Sequence, residues 1–72
     1  MGSRKLGAVI RAARERKAMT ITDVARVCGC SPQNLNIMEH GKSYPSVQMF
    51  CKLSRLLDIE PSAMVDAVVS ND

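Results

Sequence analysis

Seventy-two residues leave room for one compact domain and exclude a two-domain enzyme built around a large cleft. Hydrophobic residues make up 46% of the chain, but Tyr44 and Phe50 are its only aromatics, which suits interlocking helices and rules out a wide aromatic platform for stacking single-stranded bases. The formal charge of +3 hides an asymmetry, because residues 1–42 carry eight basic residues against Glu15, Asp23 and Glu39, whereas residues 43–72 carry Lys52 and Arg55 against four acidic residues. A basic N-terminal part points to a polyanion on one side, or to a solvated helix face.

In chain order, Leu6, Ile10 and Ala13 recur at helical spacing with Val9 alongside, and Arg4, Lys5, Arg11, Arg14 and Arg16 fill the polar arc. This predicts a first helix over about 4–17 with Ser3 as N-cap. Thr20 stands three residues before Asp23, and Val24, Ala25 and Cys28 carry an apolar face up to Gly29, so a second helix spans about 21–28 and stops at that glycine. Ser31-Pro32 starts a third helix at once, with Leu35 and Met38 inward and Gly41 at its end. Two short helices joined by about three residues around a glycine form a helix-turn-helix unit.

Gly41 to Pro45 reads as a loop, and Ser46 caps a fourth helix whose apolar positions are Val47, Phe50, Leu53, Ser54 and Leu57. Glu60-Pro61 opens a short fifth helix with Met64 and Val68 on one face and Val65 nearby. The expected architecture is all-α: a compact five-helix bundle forming one domain over residues 1–72, with a core over about 4–68 and flexible ends at 1–3 and 70–72. No apolar run is long enough for a membrane span and no signal-peptide core is present, so a cytoplasmic protein is expected.

Cys28, Cys30 and Cys51 are an odd set without the spacing of a disulfide framework. With His40 they could supply four zinc ligands on paper, but the C-x-C step matches no common zinc module, and free, mostly buried thiols acting as small hydrophobes fit better. No metal, cofactor or small-molecule ligand is expected. An enzyme is disfavoured too, since the single histidine is His40, no base accompanies the cysteines and no phosphate loop is present.

Several segments together resemble the phage-repressor and Cro-like helix-turn-helix family, also called the XRE family. They are Leu6-Gly7-x-x-Ile10-Arg11-x-x-Arg14, Met19-Thr20, Val24-Ala25, Cys28-Gly29-Cys30-Ser31, Leu35-x-x-Met38-Glu39-x-Gly41-Lys42, Pro45-Ser46-Val47 and Leu53. The resemblance covers about residues 4–65 and is most specific from Thr20 to Lys42. It implies that the third helix enters the major groove of double-stranded DNA, with Pro32, Gln33, Asn36 and Ile37 at base edges. Gln33 can pair bidentately with adenine, and Ile37 offers a methyl surface for thymine or, alternatively, a protein contact. Pro32 is also explained by helix initiation alone, and Asn36 suits a base or a phosphate.

The resemblance further implies phosphate contacts by Thr20, Asn34, Lys42 and the loop Ser43, Tyr44 and Ser46, with added charge from Arg4, Lys5 and Arg11. Arg14 and Glu39 resemble the family's internal ion pair, the alternative being two solvated charges. Cys28 and Cys30 stand where the family usually has Leu and Val. The chain departs from the pattern at Ile21, where a phosphate-binding Gln is frequent, at Ala18, which replaces a frequent glycine, and on the third helix, whose exposed face has no Arg or Lys. Val27, Met49, Leu56, Val65, Val68 and Val69 exceed what one small core needs, and Met64, Val65, Val68 and Val69 are the expected homodimer contacts. Two functions remain open: a sequence-specific transcriptional regulator acting as a dimer on an inverted repeat, or a protein-interaction module such as an antitoxin or a regulatory partner domain.

Overall fold

The computed structural model describes residues 2–70, which form five helices: α1 (Arg4–Arg16), α2 (Ile21–Cys28), α3 (Pro32–Glu39), α4 (Val47–Leu56) and α5 (Pro61–Val69). Four starts are capped by hydroxyls. Ser3, Thr20, Ser31 and Ser46 each accept the backbone N–H three residues on, at 3.0–3.1 Å, and each such cap contributes about 1 kcal/mol. At Thr20 the cap is reciprocal, because Asp23 accepts the Thr20 N–H at 3.0 Å. α5 lacks a side-chain cap and relies on Pro61 in its first turn.

The helix ends share one solution. After α1, α2, α3 and α4 a single residue turns left-handed, namely Ala18, Gly29, Gly41 and Asp58, with φ of 54°, 75°, 75° and 55°. The following N–H then reaches back five residues, from Met19 to Arg14, Cys30 to Ala25, Lys42 to Ile37 and Ile59 to Ser54. This reversal satisfies carbonyls that the helix leaves open. Glycine adopts the conformation freely at Gly29, whereas Ala18 holds a backbone that costs an L-residue about 1–2 kcal/mol.

Packing follows from the apolar stripes. α1 lies against α3 and α5, α2 against α3 and α4, and α4 against α5, around a core of Leu6, Ile10, Val24, Leu35, Leu53, Leu57 and Met64. Ala25 on α2 is fully buried in this core. Gly7 permits a close approach, since a Cβ there would collide with the Glu39 and Met38 carbonyl oxygens, so α1 rests directly on the last turn of α3. Ser54 is buried and donates its hydroxyl to the Ile59 carbonyl at 2.8 Å, fastening the turn between α4 and α5.

Several expectations need correction. Gly2 and Ser3 are not loose ends: Ser3 is 2% exposed, caps α1 and donates its hydroxyl to the Ala67 carbonyl at 3.2 Å. Ser70 returns its N–H to Asp66 at 3.0 Å, while Met1, Asn71 and Asp72 lie outside the described residues. In α4, Val47 is 81% exposed and Met49 is buried instead, because α4 begins at Val47 and its inward stripe runs through Met49 and Leu53. Cys28 is buried, Cys30 is half-buried and Cys51 is exposed, so only one thiol is a full core residue. Met64 is 0% exposed and belongs to the core, which removes it from any surface.

Candidate nucleic-acid interface

α2, the turn at Gly29-Cys30 and α3 are built by local signals that leave one helix face free. Ser31 caps α3, Pro32 occupies its first turn, and Leu35 and Glu39 take the inward positions. Pro32, Gln33, Asn36 and Ile37 consequently share the outer face and are all exposed, Ile37 at 40%. This face carries carboxamides and apolar surface but no cation.

The expected phosphate contacts lie on α1, at the start of α2, on α3 and in the loop that follows α3. Thr20 and Asn34 are exposed at the starts of α2 and α3, and Lys42 and Ser46 are exposed on either side of the loop between α3 and α4. Thr20 and Ser46 already spend a hydroxyl lone pair on capping, and both keep further hydrogen-bonding capacity. Arg4 is brought to this loop, its backbone and side chain lying against Gly41, and Gly2 packs against Gly41 and Ser43. Lys5 is exposed on α1. Arg11 faces Glu15 at 3.6 Å, an exposed pair four residues apart, so part of its charge is offset within α1. Tyr44 is half exposed and lines an apolar groove with Phe50, Val65, Val68 and Val69.

Arg14 holds the end of α3 in place. Its Nε and Nη2 donate to Glu39 Oε2 and Oε1 at 2.7 and 3.1 Å, and its Nη1 donates to the Met19 carbonyl at 2.9 Å. The Glu39 side chain is 2% exposed and that of Arg14 13%. The hydrogen bond that Arg14 donates to Glu39 is the main cause that raises its pKa, outweighing burial, which acts the other way. One guanidinium thereby ties α1 to both the turn before α2 and the last residue of α3.

Cys28 and Cys30 edge a groove of about 320 Å³ with Asn34, Gln48, Met49 and Lys52. Burial pushes the Cys28 thiol above its ordinary pKa, and its neighbour Cys30 adds to this, while Lys52 acts against it. Cys30 is raised by burial as well, again opposed by Lys52. Lys52 Nζ donates to the Cys28 carbonyl at 3.3 Å, placing a cation at the C-terminal end of α2. Among the described residues no three His, Cys, Asp or Glu side chains stand close enough to share a metal ion. Lys52 and Gln48 escaped the sequence reading, because only the packing of α4 against α2 brings them beside Asn34.

Of the expected dimer contacts, Val65 and Val69 are exposed and Val68 is partly buried. All three line the apolar groove, of about 210 Å³, that Tyr44, Pro45 and Phe50 complete. No helix among the described residues is long and apolar enough to cross a membrane.

A helix-turn-helix family model matches residues 10–63. A search of curated proteins finds none that matches. Among solved structures, the fold is similar to the clp gene regulator ClgR from Corynebacterium glutamicum, with a TM-score of 0.80, 23% identity, and coverage of 90% of this chain and 69% of that one. It is also similar to the restriction-modification controller protein C.AhdI from Aeromonas hydrophila, with a TM-score of 0.77, 28% identity, and coverage of 85% and 92%. The biofilm master regulator SinR, solved in complex with DNA, gives a TM-score of 0.76 at 26% identity, with coverage of 85% and 98%. The matched residues span both helices of the motif and the packing that supports them, and the chain belongs to the XRE-type helix-turn-helix family.

Proposed function

We propose that this protein is a sequence-specific, double-stranded DNA-binding transcriptional regulator of the cytoplasm, acting without catalysis or cofactor. Residues from about 4 to 68 form the core of its DNA-binding domain. The observation that carries the reading is the exposed face of α3, where Gln33 and Asn36 stand free beside Ile37 while Arg14 and Glu39 brace the helix from behind. Gln33 reads adenine, Ile37 meets a thymine methyl, and Asn36 serves a base or the adjacent phosphate. Thr20, Asn34, Lys42, Ser43 and Ser46 clamp the backbone, and Arg4, Lys5 and Arg11 add charge. Binding is strongly salt-dependent, because α3 offers few specific hydrogen bonds.

The protein acts as a homodimer. One module reading three side chains falls short of the roughly 10⁻⁸ M affinity expected of a regulator, and a two-fold axis doubles its contacts. Val65, Val68 and Val69 with the Tyr44 and Phe50 rings supply the apolar contact, and the expected site is an inverted repeat whose half-site centres lie about 10 base pairs, or about 34 Å, apart. Selection from random duplexes, followed by sedimentation of the complex, tests both parts. An approximate inverted repeat and two subunits per site are expected, with Val68→Asp losing tight binding. One subunit occupying the site tightly would remove the dimer.

The exposed Ile37 and the absence of cations on α3 also favour a second reading, a protein-interaction module with weak DNA binding. Affinity for random duplex DNA that stays negligible at low salt supports that reading instead.

A further inference from the structure

We propose that the groove between α3 and α4 seats a phosphate of the DNA backbone, with Lys52, Gln48 and Asn34 as its donors. The inference rests on the DNA-binding reading above and extends its contact surface onto α4.

Charge is the first argument. α3 holds no cation, and no Asp or Glu lines this groove of about 320 Å³. Among the described residues Lys52 enters no ion pair, so its ammonium is the groove's one full charge and is not neutralised from within.

Restraint is the second. A surface lysine ordinarily loses rotamer freedom when it grips an anion. Here one N–H is already committed to the Cys28 carbonyl at 3.3 Å, which holds the ammonium over the turn and leaves two donors for a ligand.

Neighbouring groups supply the third. The Asn34 carboxamide, free of hydrogen bonds within the described residues, and the Gln48 carboxamide edge the same groove, while Ser46 stands at its rim. Three neutral donor groups around one cation match a singly charged phosphodiester better than a carboxylate pair or a metal. Asn34 also follows Gln33 directly, so a strand whose base meets Gln33 carries its backbone past this rim.

The test is the salt dependence of binding to random duplex DNA for the parent protein, Lys52→Gln and Lys52→Arg, with melting curves to establish folding. Loss of one phosphate contact lowers the slope of log affinity against log salt by about 0.9, so a fourfold rise in salt weakens Lys52→Gln about 3.5-fold less than the parent. Lys52→Arg keeps the parent slope. A folded Lys52→Gln with the parent slope would overturn the seat while leaving the DNA-binding reading intact, even if its affinity fell uniformly through a loosened turn. Gln48→Ala gives an independent arm, in which weaker binding to random and selected duplexes alike is expected and unchanged binding to both counts against the seat. Failure of the parent protein to bind DNA at low salt would sink both proposals together.

Discussion

Arg14 and Glu39, twenty-five residues apart, meet in a two-point ion pair whose carboxylate is almost wholly enclosed. Removing one partner strands the other in a poorly hydrated site. Arg14→Met is expected to destabilise the domain by about 3–5 kcal/mol, a large part of what so small a fold possesses, as read by urea denaturation. Arg14→Lys recovers only part of this, because an ammonium cannot serve both Glu39 oxygens and the Met19 carbonyl in the same geometry. Stability equal to the parent in Arg14→Met would show that the pair is solvated in solution.

Ala18 carries the cost of a left-handed backbone that Gly29 avoids at the equivalent position after α2. Ala18→Gly removes about 1–2 kcal/mol of steric cost and adds about 0.5–1 kcal/mol of unfolded-state entropy, for a net gain of about 0–1.5 kcal/mol. Asp58→Gly gains less, since aspartate tolerates this conformation better than alanine. Thermal melts of the two single variants and the double variant read the effects, which should add because the turns are separate. A lower melting temperature in Ala18→Gly would refute the assignment of strain.

The Thr20 backbone N–H, and after it the Thr20 hydroxyl, hold the Asp23 carboxyl below its ordinary pKa. The unfolded chain, with an ordinary value near 3.9, therefore takes up this proton first as pH falls. The contribution of the cap is complete above that value and disappears as pH drops through the lower native one. Asp23→Asn is expected to flatten the acid limb of stability against pH below about 4, while stability near neutrality changes in the direction of loss. An acid limb identical to the parent's would show that Asp23 titrates alike in both states.

Thiol chemistry separates the three cysteines. Cys51 should react rapidly with an aromatic disulfide reagent at neutral pH, whereas Cys28, enclosed and with its pKa raised by burial, should react only through opening of the fold. Urea sufficient to unfold the chain should make all three equal. If the thiols are core groups rather than metal ligands, a strong chelator leaves the melting temperature unchanged. A Cys28 rate matching that of Cys51 in the native protein would contradict the packing.

Gln33→Ala tests base reading on α3. Affinity for the selected site should fall by about 1–3 kcal/mol with random-duplex affinity nearly constant. Equal losses on both would reassign Gln33 to the phosphates.

The helices were legible because their signals are local. Hydroxyl caps, Pro32, Gly29 and the stripes of α1 and α2 act over three or four residues, so spacing alone reveals them. Side-chain destinations in α4 and α5 were harder. Val47 and Met49 differ little in hydrophobicity, and which one turns inward depends on how α4 lies against α2 and α5. Met64 looked spare because its face could be assigned only once α5 was docked. Lys52 carried no signal at all, since its meeting with Cys28 joins residues twenty-four positions apart. The outer residues of α3 were readable for the opposite reason: Leu35 and Glu39 define the inner side, and the helical period assigns the rest.

The bond from the Ser3 hydroxyl to the Ala67 carbonyl gives the chain a folding schedule. α2 and α3 adjoin in sequence and pack on each other, but α1 must wait for α3 and α5, and its capping serine also bonds to a residue sixty-four positions downstream. During synthesis α1 remains without its last binding surface until α5 has been made. Closing contacts of such long separation costs the most chain entropy, so the α1–α5 seam is expected to form late in folding and to be the place where a chain lacking α5 stays open.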